Sequence, residues 1–92
     1  MSTIEHDVGE GRFYTRLPAG EALLAYRPVE AGVLDYYLTF VPAEARGRGI
    51  ADALVREAVS YARTNGFRIV PSCWYVRVWF DRHPKERDLL AA

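Results

Sequence analysis

Between residues 41 and 55 the chain reads VPAEARGRGIADALV. This segment constrains the fold more than any other. An almost continuously apolar run, residues 33–41 (VLDYYLTFV), stops at Pro42. A loop with two glycines follows and feeds straight into a 3.6-residue periodicity. Ile50, Leu54, Ala58, Tyr61 and Ala62 share one stripe, while Asp52, Arg56, Glu57, Ser60 and Arg63 face away. Asn65-Gly66 is a helix stop, and residues 67–71 (FRIVP) read as a short buried strand. A strand, a helix and a second strand in one sheet form a right-handed parallel crossover.

Upstream the period is two. Phe13, Thr15 and Leu17 alternate with Arg12, Tyr14 and Arg16. Pro18-Ala19-Gly20 is a turn, and residues 22–27 form a second strand that Pro28 ends. After the Glu30-Ala31-Gly32 turn comes the 33–41 strand, whose apolar character predicts a central position covered on both faces. Short turns between these strands give an antiparallel meander. Downstream, Ser72 is positioned to cap a last helix with Val76, Trp79, Phe80 and His83 on one stripe. Pro84 ends it, and Leu89-Leu90 add a turn packed on the core. Trp74 and Trp79 are five residues apart and cannot share a helical face, so one is core and the other partly exposed. The expectation is a mixed α/β sheet in the order β-β-β-α-β-α. Residues 1–10 are an acidic, flexible lead-in, and 11–92 a single domain, as the total of 92 residues requires.

Several function classes drop out. Twelve basic and twelve acidic residues leave no net charge, which disfavours a dedicated nucleic-acid binder. The charges are nonetheless segregated: residues 1–45 carry three Arg against seven acids, and 46–92 carry nine Arg and Lys against five. The positive half suits a polyanionic small ligand. A single cysteine, Cys73, and two distant histidines, His6 and His83, give no disulfide framework and no metal-ligand spacing. The polar N-terminus and the lack of a long apolar run predict a cytoplasmic protein without a membrane partner.

A glycine loop at a helix start, after a buried strand, lets backbone N–H groups approach phosphate oxygens. Arg46 and Arg48 add positive charge there. The alternative is a plain connecting loop with solvated arginines. The Rossmann and P-loop spacings are both absent. Arg46-x-x-Gly49-x-Ala51 matches the Q/R-x-x-G-x-G/A acetyl-CoA motif. Thr39-Phe40-Val41-Pro42, the block Arg46-Gly47-Arg48-Gly49-Ile50-Ala51, Val70-Pro71-Ser72-Cys73-Trp74-Tyr75-Val76, and Arg82-His83-Pro84 with Asp88-Leu89 follow in order. Together they resemble the minimal single-domain members of the GNAT N-acetyltransferase superfamily, over about residues 12–90.

The resemblance implies a truncated GNAT-like fold and acetyl-CoA as cosubstrate, with no metal. It implies that Arg46, Gly47, Arg48, Gly49, Ile50 and Ala51 hold the CoA pyrophosphate, and that the strand ending at Val41 pairs with the pantetheine arm. The acetyl group would pass to an amine or protein acceptor whose identity is open. The resemblance also puts Cys73 beside the thioester sulfur, as a wall of the site in preference to a nucleophile; by its residue type alone the favoured reading is a small core cysteine. For Tyr75, an aromatic packed at a helix start is the favoured reading, with the resemblance offering proton donation to the departing thiolate as the alternative, and His83 suits capping or packing better than acid–base work. Asp35 and Glu44 are the acids nearest the expected site, and neither has a paired partner by spacing. Leu38 stands where relatives often carry a histidine. The chain also lacks the two helices and two final strands that build the acceptor pocket of larger members. A non-catalytic CoA-binding or regulatory module is therefore the alternative function, and an interaction domain with no CoA site a third.

Overall fold

A computed structural model describes residues 3–91. Five strands form one sheet in sequential order: β1 (Glu5–Asp7), β2 (Arg12–Leu17), β3 (Gly20–Glu30), β4 (Val33–Phe40) and β5 (Arg68–Val70). The first four are antiparallel, and β5 is parallel to β4. Helix α1 (Ile50–Asn65) makes the crossover, and α2 (Trp74–Arg82) follows β5. Two short 3-10 turns, Ala43–Ala45 and Pro84–Leu89, flank them.

The alternation of β2 is realised: Phe13 and Thr15 are buried, and Arg16 is exposed. Phe13, Leu24, Tyr26, Leu34, Tyr36 and Ile69 form the covered face of the sheet. Leu54, Val55, Ala58, Val59 and Ala62 of α1 and Val76, Trp79 and Phe80 of α2 pack in the same core. Tyr36 ties the layers by donating its hydroxyl to the Ala58 carbonyl at 2.6 Å. Trp79 is core and Trp74 is 65% exposed, so the tryptophans divide as their spacing requires. Leu89 is buried, and Leu90 bridges to Ile69.

Four expectations are corrected. Residues 5–7 are not part of a flexible lead-in: they pair with β2, and His6 stacks on Phe13 at 4.0 Å between ring centroids. An amphipathic ring buried by stacking outweighs the acidic character of its neighbours. Met1, Ser2 and Ala92 lie outside the described residues. Pro28 does not end the second strand, which continues to Glu30. The pairing of β2 stops at Ala25, so Pro28 sits on an edge next to a bulge, where its missing N–H costs no ladder bond. Ser72 does not cap α2; Cys73 occupies that position, without a side-chain capping bond.

The last correction concerns β4. Val33–Tyr36 are buried as expected of a central strand, but Tyr37, Leu38 and Phe40 are 41%, 45% and 47% exposed. Pairing with β5 ends at Asp35, and the register with β3 slips at Tyr37, between Tyr26↔Tyr36 and Ala25↔Leu38. This bulge breaks the alternation that would return Leu38 to the face of Tyr36. Beyond Tyr36, β4 therefore runs on without a strand partner on the β5 side.

Candidate functional site

The open end of β4 and the start of α1 enclose a cavity of about 570 Å³, lined by Val41, Ala45, Arg46, Gly47, Gly49, Ile50, Ala51, Asp52, Trp74 and Tyr75. Local chemistry builds its floor. Pro42 opens the 3-10 turn Ala43–Ala45, and the Ala45 N–H returns to the Pro42 carbonyl at 2.9 Å. Arg46 then binds back to the Val41 carbonyl through Nε at 3.1 Å. Gly49 caps α1 with φ at 77°, a left-handed conformation that L side chains rarely adopt. A Cβ built there meets nothing within 4 Å, so the backbone at the helix start is open to approach. The unpaired N–H groups of the first turn and the helix dipole make this end attractive to anions.

Six of the seven residues expected to hold the cofactor, Val41, Arg46, Gly47, Gly49, Ile50 and Ala51, line this one cavity. Arg48 lines a neighbouring cavity of about 240 Å³ with Leu17, Pro18, Ala19, Glu44 and Ala45. Glu44 thus belongs beside the turn between β2 and β3 and not to the main cleft.

Cys73 lies at the joint between the two strands. Its N–H donates to the Tyr36 carbonyl at 3.0 Å, one residue beyond the last pair of β4 with β5. Its thiol donates to Thr39 Oγ1 at 3.5 Å. The cysteine is half-buried and adjoins the cavity through Trp74 and Tyr75 without lining it. Asp35, one residue before Tyr36, is 5% exposed. Its Oδ2 lies 3.4 Å from Arg27, and its Oδ1 is buried without a hydrogen-bond partner.

The structure brings Tyr75 into the cavity wall. Burial pushes its phenol above the ordinary value, the negative charge of Asp52 adds to this, and Arg82 opposes it. The group is a neutral hydroxyl at physiological pH and so carries a proton it can donate. His83 stacks on Trp79 at 3.9 Å and places Nδ1 2.7 Å from the Trp79 carbonyl oxygen, a packing and capping role.

Asp52 is the residue that sequence reasoning missed. Its position on the helical wheel marks it as solvent-facing, yet it is half-buried and lines the cavity. Its Oδ1 accepts the Trp79 indole N–H at 2.9 Å, and its Oδ2 accepts Arg56 Nε at 2.8 Å. Burial raises its carboxyl pKa, but the hydrogen bonds from Arg56 and Trp79 outweigh this and hold it below the ordinary value. The partner is 27 residues away and no periodicity reports it. An acid in the first turn of a helix was the only available signal.

A family model described as GCN5-related N-acetyl-transferase matches residues 12–89. The chain belongs to this family. Protein NATD1 of Bos taurus is 32% identical to it over 83 residues, covering 88% of this chain and 74% of the relative. Protein NATD1 of Homo sapiens is 31% identical with the same coverage, and that of Danio rerio 30% identical over 88 residues, covering 94% and 80%. The NMR solution structure of a GCN5-like protein from Staphylococcus aureus superposes with a TM-score of 0.78, covering 98% of this chain and 88% of that one at 24% identity, and shows the same fold. In this GCN5-related chain, no helix among the described residues is long and apolar enough to cross a membrane. No group of three or more His, Cys, Asp or Glu among them is arranged to hold a metal ion.

Proposed function

We propose that the chain binds acetyl-CoA in the cradle between Val41 and Ala51 and transfers its acetyl group to an amine. The observation that carries this reading is the one cavity that unites Arg46, Gly47, Gly49, Ile50 and Ala51, at the start of α1, with Trp74 and Tyr75 at the start of α2. Backbone N–H groups of the α1 first turn hold the pyrophosphate, with Arg46 and Arg48 contributing charge. The unpaired edge of β4 beyond Tyr36 offers backbone partners to the pantetheine amides. The acceptor amine attacks the thioester carbonyl, its proton is lost to solvent or to a base, and the C–S bond breaks. The Tyr75 hydroxyl supplies a proton to the departing thiolate. Cys73, at the joint of β4 and α2, adjoins the acyl end; in a two-step version its thiolate attacks the thioester and CoA thiolate leaves, and the amine then takes the acetyl group from Cys73 and releases the thiolate.

Calorimetric titration with CoA tests the reading. The expected outcome is saturable binding that weakens with added salt, because the charge on the phosphates is screened. A double Arg46→Gln, Arg48→Gln variant should bind more weakly and lose part of that salt dependence. Gly49→Ala, which adds a methyl group and a strained left-handed residue at the start of α1, should lower affinity at least about tenfold if one phosphate contact is lost. Unchanged affinity in Gly49→Ala would remove the loop from the binding site. The alternative, a CoA-binding module without transferase activity, draws on the exposed residues Tyr37, Leu38 and Phe40, where the sheet face lies open beside the joint. CoA binding with no acetyl transfer across a panel of amines and peptides would favour it.

A further inference from the structure

Two helices wall the cradle cavity: the first turn of α1, with Ile50, Ala51 and Asp52, and the first turn of α2, with Trp74 and Tyr75. Their separation decides the width of the cleft. The contact that spans the two helices next to this cavity is the hydrogen bond from the Trp79 indole to Asp52. The indole is otherwise enclosed. Trp79 is 4% exposed, Phe80 meets its edge at 5.3 Å, and His83 stacks on its face. A buried indole N–H needs an acceptor, and Asp52 supplies it. Asp52 is itself oriented by Arg56, whose Nη2 also lies 3.3 Å from His83 Nε2. Indole, carboxylate, guanidinium and imidazole thus form a polar cluster that meets the cavity wall at Asp52.

We propose that Asp52 is a positioning residue for the cofactor cleft. Through Trp79 it fixes the distance and rotation of α2 relative to α1, and so places Trp74 and Tyr75 opposite the phosphate cradle. The inference rests on the acetyl-CoA reading above. Its physical basis is that α2 has only nine residues and is anchored to β4 at its start through Cys73, so its rotation about that anchor is set by contacts further along the helix, of which the bond from Trp79 to Asp52 is the polar one. A carboxylate lining a phosphate site is also unfavourable by charge alone, since it repels the ligand. Its placement there is explained by the indole it holds.

The direct effect of charge and the tethering effect have opposite signs, which makes them separable. CoA is titrated calorimetrically. Asp52→Asn retains an oxygen acceptor for the indole; Asp52→Ala does not; Trp79→Phe keeps an aromatic ring in the core but removes the donor together with the five-membered ring that carries it. With the tether, Asp52→Ala and Trp79→Phe weaken CoA binding about five- to tenfold, the scale of one buried hydrogen bond, and Asp52→Asn restores it to within about twofold of wild type. Thermal unfolding confirms that each variant is folded. If Asp52→Ala and Asp52→Asn both bind CoA more tightly than wild type, repulsion dominates and the tether is overturned. If all three variants bind like wild type, the tether is likewise overturned while the cofactor reading stands. If the wild-type chain itself fails to bind CoA, the cofactor reading fails and takes this inference with it.

Discussion

Cys73 shows how much one residue can hold in place. Its amide closes the joint between β4 and the chain entering α2, and its thiol meets Thr39 across that joint. The side chain is half-buried, so reagents can reach it. Iodoacetamide should therefore modify Cys73 in the free protein. At about ten times the CoA dissociation constant, mass action leaves about a tenth of the protein free, and the rate should fall about tenfold. Mass spectrometry of the modified peptide measures this. An unchanged rate would place the sulfur end of the ligand away from Cys73. A further mass increase of one acetyl group after brief exposure to acetyl-CoA would identify the covalent route, and its absence the wall-forming role.

At the scale of elements, the sheet depends on a tight approach between the loop after β1 and the unpaired stretch of β3. The Tyr26 N–H donates to the Gly11 carbonyl at 2.8 Å, where β2 has ended its pairing. Gly11 has φ at 69°, and a Cβ built on it would stand 2.5 Å from the Tyr26 carbonyl oxygen. Gly49 has a similar φ with open space around it. The two positions separate conformational strain from steric conflict. Gly49→Ala should cost about 1 kcal/mol of stability, the penalty for the left-handed conformation alone. Gly11→Ala adds the displacement of a backbone segment and should cost about 2–4 kcal/mol. Urea unfolding of both variants provides the comparison, and equal losses would show that β1 and its loop are not integral to the sheet.

The whole molecule has a pH profile set by buried aromatic and imidazole groups. Burial pushes the Tyr26 phenol up to about 12, helped by Tyr61 and Asp7, and raises Tyr36 further. The unfolded chain releases these protons near pH 10, before the folded one does. Their contribution is therefore complete below pH 10 and is lost as pH rises from 10 towards 12. His6 behaves in the opposite sense. Burial lowers its pKa against the opposing charges of Asp7 and Glu57. Below pH 6.5 the unfolded chain binds a proton that the folded chain resists, so stability falls as pH drops from 6.5 through the lowered folded value. Unfolding free energy measured against pH should form a plateau between these limits. Tyr26→Phe should flatten the alkaline limb, and His6→Phe, which keeps the ring stack on Phe13, the acid limb. An acid limb unchanged in His6→Phe would assign that loss of stability to the carboxylates.

The sequence by itself determined the elements whose chemistry is local. The period-two alternation of Phe13 and Thr15 against Arg12 and Arg16 fixed which face of β2 is buried. The stripe through Leu54, Ala58 and Ala62 fixed the face of α1, and Gly66 its end. The order Pro42, Gly47, Gly49 placed a loop at a helix start, because a turn residue and a cap carry their own conformational preferences. The loop residues of the candidate site were legible for the same reason. Only the tertiary structure decided the rest. It drew residues 5–7 into the sheet through a stack on Phe13, and carried β3 past Pro28 along an unpaired edge. It turned Leu38 outward through a one-residue slip, and left Asp35 with a buried oxygen unpaired. It joined Asp52 to Trp79 across 27 residues. Each of these depends on a partner distant in the chain, and periodicity records only neighbours within a few residues. That is why the loop at the start of α1 could be read from the sequence and the bond from Trp79 to Asp52 beside it could not.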